Sequence, residues 1–151
     1  MYLLDTNVLS ELRKRRSGKI NPAVEAWAGT IDQADMYLSV VTIMEVELGI
    51  ALLERRDARQ AGVLRLWLHE KVMPAFSGRI LPIDTTIALR CARLHVPDTK
   101  SERDALIAAT GLAHDLTVVT RNLADFAGTG VTLLDPWTFT DCAARQGDAQ
   151  H

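Results

Sequence analysis

Met1-Tyr2-Leu3-Leu4-Asp5-Thr6-Asn7-Val8-Leu9-Ser10 begins the sequence. Its first residues make an apolar run too short for a helix, closed by an acid at Asp5. Val8, Leu9 and Leu12 then recur at helical spacing, so a short buried strand, Met1–Leu4, passes directly into a helix. Four more stretches carry the strand signature: Met36–Val41, Arg79–Ile83, Thr117–Thr120 and Val131–Leu134. The segments between them read as helices. Pro22 sits near a helix start ahead of Val24, Trp27 and Ala28. Ile43, Val46, Ile50 and Leu53 form a stripe, and Asp57–Val72 has an apolar side of Val63, Leu64, Trp67 and Leu68. Thr85–Leu94 and Ser101–Ala113 complete the set. Strands alternating with helices predict an α/β fold, a mainly parallel central sheet of about five strands flanked by helices.

The chain has 151 residues, 48% of them hydrophobic and 24% charged, which is the composition of one globular domain. The domain is expected over residues 1–137, with a polar tail over 138–151 that is loosely held from about Ala143. Cys91 and Cys142 have no His or Cys at metal-ligand spacing and read as idle thiols rather than a disulfide. The N-terminus lacks the basic and apolar regions of a signal peptide. No apolar run reaches the roughly 18 residues of a membrane span. A cytoplasmic location is expected. The net charge of −2 argues against a generic RNA-coating module, which would be basic. The dense run Arg13-Lys14-Arg15-Arg16, with Lys19, reads as a solvated helix end.

Four acids stand at junctions near helix N-termini: Asp5 after the first strand, Glu45 after the second, Asp104 at the start of the 101–113 helix, and Asp125 beyond the fourth strand. Singly, three of them look like helix caps. Thr42-x-x-Glu45 and Ser101-x-x-Asp104 fit capping boxes, and Asn122-x-x-Asp125 is a near relative. Together they suggest more. Ligands of an open parallel sheet bind beyond the C-terminal ends of its strands, and these acids converge there if their strands are neighbours. Converging carboxylates repel unless protons or cations compensate. Oxygen-only ligands with no nearby His favour Mg²⁺ or Mn²⁺ over zinc. Such a site suits phosphodiester hydrolysis, and one ion or two are both compatible with the acids present.

Leu4-Asp5-Thr6-Asn7-Val8-Leu9-Ser10-Glu11 resembles the opening of PIN-domain proteins. Ser39-Val40-Val41-Thr42-Ile43-Met44-Glu45-Val46-Glu47-Leu48-Gly49 is similar to their second motif. Asp104-Ala105-Leu106-Ile107-Ala108-Ala109-Thr110 and Thr120-Arg121-Asn122-Leu123-Ala124-Asp125-Phe126 are similar to the third and fourth. Any one is weak; four in order over Met1 to Trp137 are specific. The subgroup resembled is the VapC toxins of type II toxin–antitoxin systems. Pro74–Pro82 and Asp135-Pro136-Trp137 resemble its FitB branch.

That resemblance implies a Mg²⁺- or Mn²⁺-dependent endoribonuclease, neutralised by a cognate VapB-like antitoxin. It implies a homodimer within a larger toxin–antitoxin assembly that meets DNA only through the antitoxin. Asp5, Glu45 and Asp104 match the acidic triad. The fourth position is either Asp125 or Asn122. Thr6, Asn7 and Thr120 match residues that position water or the acids. The alternative is a catalytically weak partner that regulates its antitoxin's DNA binding.

Other residues read more plainly. Glu47 lies about 200° around the helix from Glu45 and is expected at a surface or dimer side. Glu11 is expected to be a simple exposed acid. Trp27, Trp67 and Trp137 read as packing residues. Ala105, Ala108, Ala109 and Gly111 would let their helix lie close to the sheet. A receiver or haloacid-dehalogenase phosphotransfer module also uses an Asp at a strand end. Position 7 is Asn where the latter needs a second Asp, and Asp84 beyond Pro82 is a poor acceptor for the former.

Overall fold

The computed structural model describes residues 1–141. The expectations for Cys142 and for the tail from Ala143 lie outside the described residues. Five strands form one parallel sheet: β1 (Tyr2–Leu4), β2 (Met36–Ser39), β3 (Ile80–Leu81), β4 (Thr117–Val119) and β5 (Leu133–Leu134). Their order is β3-β2-β1-β4-β5. Leu3 faces Tyr37 on one side and Val118 on the other. The first strand is therefore central, and the strands that precede Glu45 and Thr120 are its two neighbours.

Seven helices surround the sheet among the described residues: α1 (Thr6–Leu12), α2 (Pro22–Gly29), α3 (Val40–Glu54), α4 (Ala58–Trp67), α5 (Met73–Ala75), α6 (Thr85–Leu94) and α7 (Glu102–His114). Alternate strand residues serve opposite faces. Leu4, Leu38 and Val119 pack with Val8, Trp27 and Ile50 on one side. Leu3 and Val118 pack with Ile107, Ala108 and Phe126 on the other. Gly111 brings α7 onto β4: a Cβ there would stand 2.9 Å from Val131 Cγ2 and 3.0 Å from Val118 Cγ2. No helix of the described residues is long and apolar enough to cross a membrane.

Several strands are shorter than the sequence predicts. β2 stops at Ser39, whose side chain accepts the Val41 N–H at 3.0 Å and turns the chain into α3. Val40 and Val41 are thus helical despite their β-branched side chains. Thr42 is consequently inside the first turn and does not cap Glu45's helix; its hydroxyl is buried without a partner. β3 is reduced to two residues, and Pro82 follows it with no N–H to continue the ladder. The predicted 57–72 helix exists, capped by Asp57, but it widens at Leu68–Val72 into a π turn. The ring of Pro74 would collide with the carbonyl four residues back in a regular α-helix, and the wider turn accommodates it.

Candidate active site

Asp5 ends β1 and caps α1, and its own N–H donates to the Val119 carbonyl of β4 at 2.9 Å. Its side chain is 7% exposed. Oδ1 accepts the Thr6 N–H at 2.9 Å, and Oδ2 accepts the Thr120 hydroxyl at 2.9 Å and the Asn7 amide at 3.4 Å. The Asn7 amide also reaches Thr120 Oγ1 at 3.3 Å, and its carbonyl oxygen accepts the Arg121 N–H at 3.2 Å. Thr120 Oγ1 in turn accepts the Asn122 N–H at 3.0 Å. The ends of β1 and β4 are stitched together through side chains, which fixes the carboxylate of Asp5 in one orientation.

The other acids approach without bonding to Asp5. Burial raises the pKa of Asp5 above its ordinary value, partly countered by the Thr6 and Thr120 bonds, with Asp125 raising it further. Burial also raises Glu45, helped by the charges of Asp5 and Asp104 and opposed by Arg103. Asp104 is raised by burial first, then by Asp125 and Asp5. Carboxylates raised by one another form one electrostatic unit.

The four do not share the same setting. Glu45 and Asp104 are half-buried, whereas Asp125 is exposed in the 3₁₀ turn Leu123–Phe126. Asn122 precedes that turn, but its side chain caps nothing. Ser101 precedes α7 and bonds no backbone N–H; its hydroxyl instead tempers the rise at Asp104. Thr6 Oγ1 is buried without a hydrogen-bond partner, although it stands near enough to Glu45 to lower that acid's pKa.

Among the described residues, no group of three or more His, Cys, Asp or Glu side chains is arranged to hold a metal ion. The donors available are all oxygens, one of them the orphaned Thr6 hydroxyl. That set suits a hard divalent cation that keeps several waters and takes only one or two carboxylates directly. A cavity of about 220 Å³ lies elsewhere, under α1, α2 and α4, and contains none of these acids.

Glu11 differs from expectation. Its side chain is only 12% exposed, accepting Lys14 Nζ at 2.9 Å and the Asn21 N–H at 2.8 Å, so it ties α1 to the start of α2. Those bonds, Lys14's first, hold its pKa below the usual value. Two residues beside the acids escaped the sequence-based expectations, Arg103 and Arg121. Their only signal was position, each next to a motif acid or threonine.

A family model described as PIN domain matches residues 2–129. The chain is 37% identical to Toxin FitB of Neisseria gonorrhoeae, over 91% of this chain and 99% of that protein. It is 34% identical to a VapC ribonuclease of Sinorhizobium fredii, over 91% and 98%. The crystal structure of FitAcB from Neisseria gonorrhoeae superposes with a TM-score of 0.82 at 36% identity, covering 92% of this chain and all of that one.

Proposed function

The chain belongs to the PIN-domain family, and on that premise we propose that it is the toxin of a toxin–antitoxin pair, an endoribonuclease dependent on Mg²⁺ or Mn²⁺. The observation that carries this is Asp5: a buried carboxylate held by three donors at the centre of the sheet edge, close enough to Asp125 for its pKa to be raised and to Glu45 and Asp104 to raise theirs. Asp5, Glu45, Asp104 and Asp125 would hold the ion. A bound ion supplies charge stabilisation at the phosphate and makes a water molecule more acidic.

The chain's own groups do the rest. Thr120 and Asn7 orient Asp5, and the Thr6 hydroxyl offers an unused oxygen beside Glu45. Glu45, whose raised pKa makes it a stronger base than an ordinary carboxylate, would take the proton of the attacking water. A VapB-like antitoxin would silence the site, in keeping with the toxin name of one relative and the FitAcB complex of another.

The test uses full-length protein purified free of antitoxin. RNA cleavage that needs Mg²⁺ or Mn²⁺, stops with chelator and disappears in Asp5→Asn supports the proposal. A metal-stripped and reloaded protein that cuts no RNA favours the second reading, a partner that tunes its antitoxin's grip on DNA.

A further inference from the structure

Arg121 and Arg103 are two cations beside the acids, and neither makes an ion pair with a carboxylate among the described residues. Several other basic groups are committed elsewhere. Lys14 pairs with Glu11, Arg15 with Glu25 and Arg65 with Glu54. Arg79 donates to the carbonyls of Gln33, Met36 and Ala75. Arg13 lies over Trp67, on the wall of the cavity away from the acids.

Arg121 is held in place without being neutralised. Its backbone N–H is fixed by Asn7, the same side chain that touches Asp5. Its guanidinium rests on the ring of Trp137, 5.1 Å from the centroid. Stacking removes much of the freedom an arginine would otherwise lose on binding, while leaving its N–H fork available. Glu11 feels its charge but is already bonded to Lys14 and Asn21.

Arg103 stands on the opposite flank. It lines a hollow between α3 and α7 with Met44, Ser101, Glu102 and Leu106, and its charge reaches Glu45. Arg121 follows β4 and Glu45 follows β2, with β1 and Asp5 between them. A polyanion laid along this edge meets one cation before the acids and the other after them. Both are also needed electrostatically, because a net charge of −2 provides no general attraction for RNA.

We propose that Arg121 and Arg103 bind backbone phosphates on either side of the cleaved bond, so that single-stranded RNA crosses the sheet edge from β4 toward α3. This deepens the ribonuclease reading and rests on it for the identity of the polyanion. The stacked Arg121–Trp137 pair anchors one end, and the exposed Arg103 is the contact at the other.

Full-length protein free of antitoxin, held in EDTA so that nothing is cut, is titrated with a fluorescein-labelled single-stranded RNA oligonucleotide at several salt concentrations. Arg121→Gln and Arg103→Gln should each weaken binding roughly three- to tenfold and flatten the log–log salt slope by about 0.7, the value of one phosphate contact on a single strand. Arg56→Gln, in the turn after α3, should change neither. In turnover assays the two variants should raise KM with kcat little altered, since these contacts hold substrate and transition state alike. Unchanged salt slopes in both variants, or a parent protein that does not bind the RNA, overturn the proposal. If the parent cuts RNA and the slopes are unchanged, the phosphate track alone fails. If the slopes fall as expected and no metal restores cutting, the nuclease reading alone fails.

Discussion

Thr120 Oγ1 donates to Asp5 Oδ2 at 2.9 Å across 115 positions of sequence, and both residues are buried. The same oxygen accepts the Asn122 N–H. Thr120→Val keeps the shape and removes these two bonds and the third, from the Asn7 amide. It should cost about 1–3 kcal/mol through the stranded N–H and carboxylate, and lower cleavage by roughly ten- to hundredfold, as loss of an orienting partner does at metal sites. Chemical denaturation and RNA cleavage measure the two effects. Thr120→Ser, which restores the hydroxyl, should recover most of the activity; failure to do so would remove Thr120 from the role of orienting Asp5.

The pKa shifts of Asp5, Glu45 and Asp104 share one sign. Each is raised in the fold, so each contributes stability that is complete below its ordinary value, 3.8 for Asp and 4.5 for Glu, and is lost as pH rises through the raised value. At neutral pH all three oppose folding. Mg²⁺ or Mn²⁺ should therefore raise Tm at neutral pH and progressively less as the solution is acidified toward those values. Thermal scans with and without metal across this range check it, and a metal shift that ignores pH would exclude the acids as its source.

Asp104→Asn should separate stability from activity. It removes a half-buried charge repelled by Asp125 and Asp5, and solvent screening keeps the gain small. Tm at neutral pH without metal should rise by roughly 1–3 °C, while metal-dependent cleavage falls by about a hundredfold or more. A variant that cuts like the parent would remove Asp104 from the site.

Glu11 works in the opposite direction. Its lowered pKa gives stability present above the ordinary 4.5 and lost as pH falls through the depressed value. Glu11→Gln should be less stable than the parent at neutral pH, with the difference closing in acid. A constant gap across the titration would mean that its charge does not matter.

Gly111→Ala tests the close approach of α7. The new methyl would meet Val131 and Val118 side chains near 3 Å and the Leu116 carbonyl at 3.3 Å. A loss of about 1–3 kcal/mol is expected from overpacking, despite alanine's better helix propensity. Pairing it with Val131→Ala should return part of that loss. A stabilised single variant would show that the neighbours yield freely.

Much of this was legible in the sequence because two periodicities, two residues for strands and 3.6 for helices, locate elements well. The five strands and the acids at their ends follow from such patterns. What escaped were the boundaries set by side chain–backbone bonds. Ser39 ends β2 by capping, so the β-branched Val40 and Val41 misled, and the capping box read at Thr42 does not form. The π turn depends on how Pro74 meets a carbonyl, which no periodicity records. Glu11 looked solvated because its partner N–H belongs to Asn21, ten residues away, with no helical relation to it. Arg121 and Arg103 were hidden by an overall charge that averages over the surface.

The placement of the first strand at the sheet's centre has a consequence for synthesis. Asp5 is synthesised well before its partners: the carbonyl that holds its backbone and the hydroxyl that aims its side chain belong to Val119 and Thr120, the latter 115 positions later. Neither exists until most of the chain has been translated. Parallel pairings between distant segments also form slowly, because they close long loops. A chain that has not yet reached β4 consequently carries Asp5 without the partners that align it. Alignment of Asp5 therefore waits on the closing of β1 against β4.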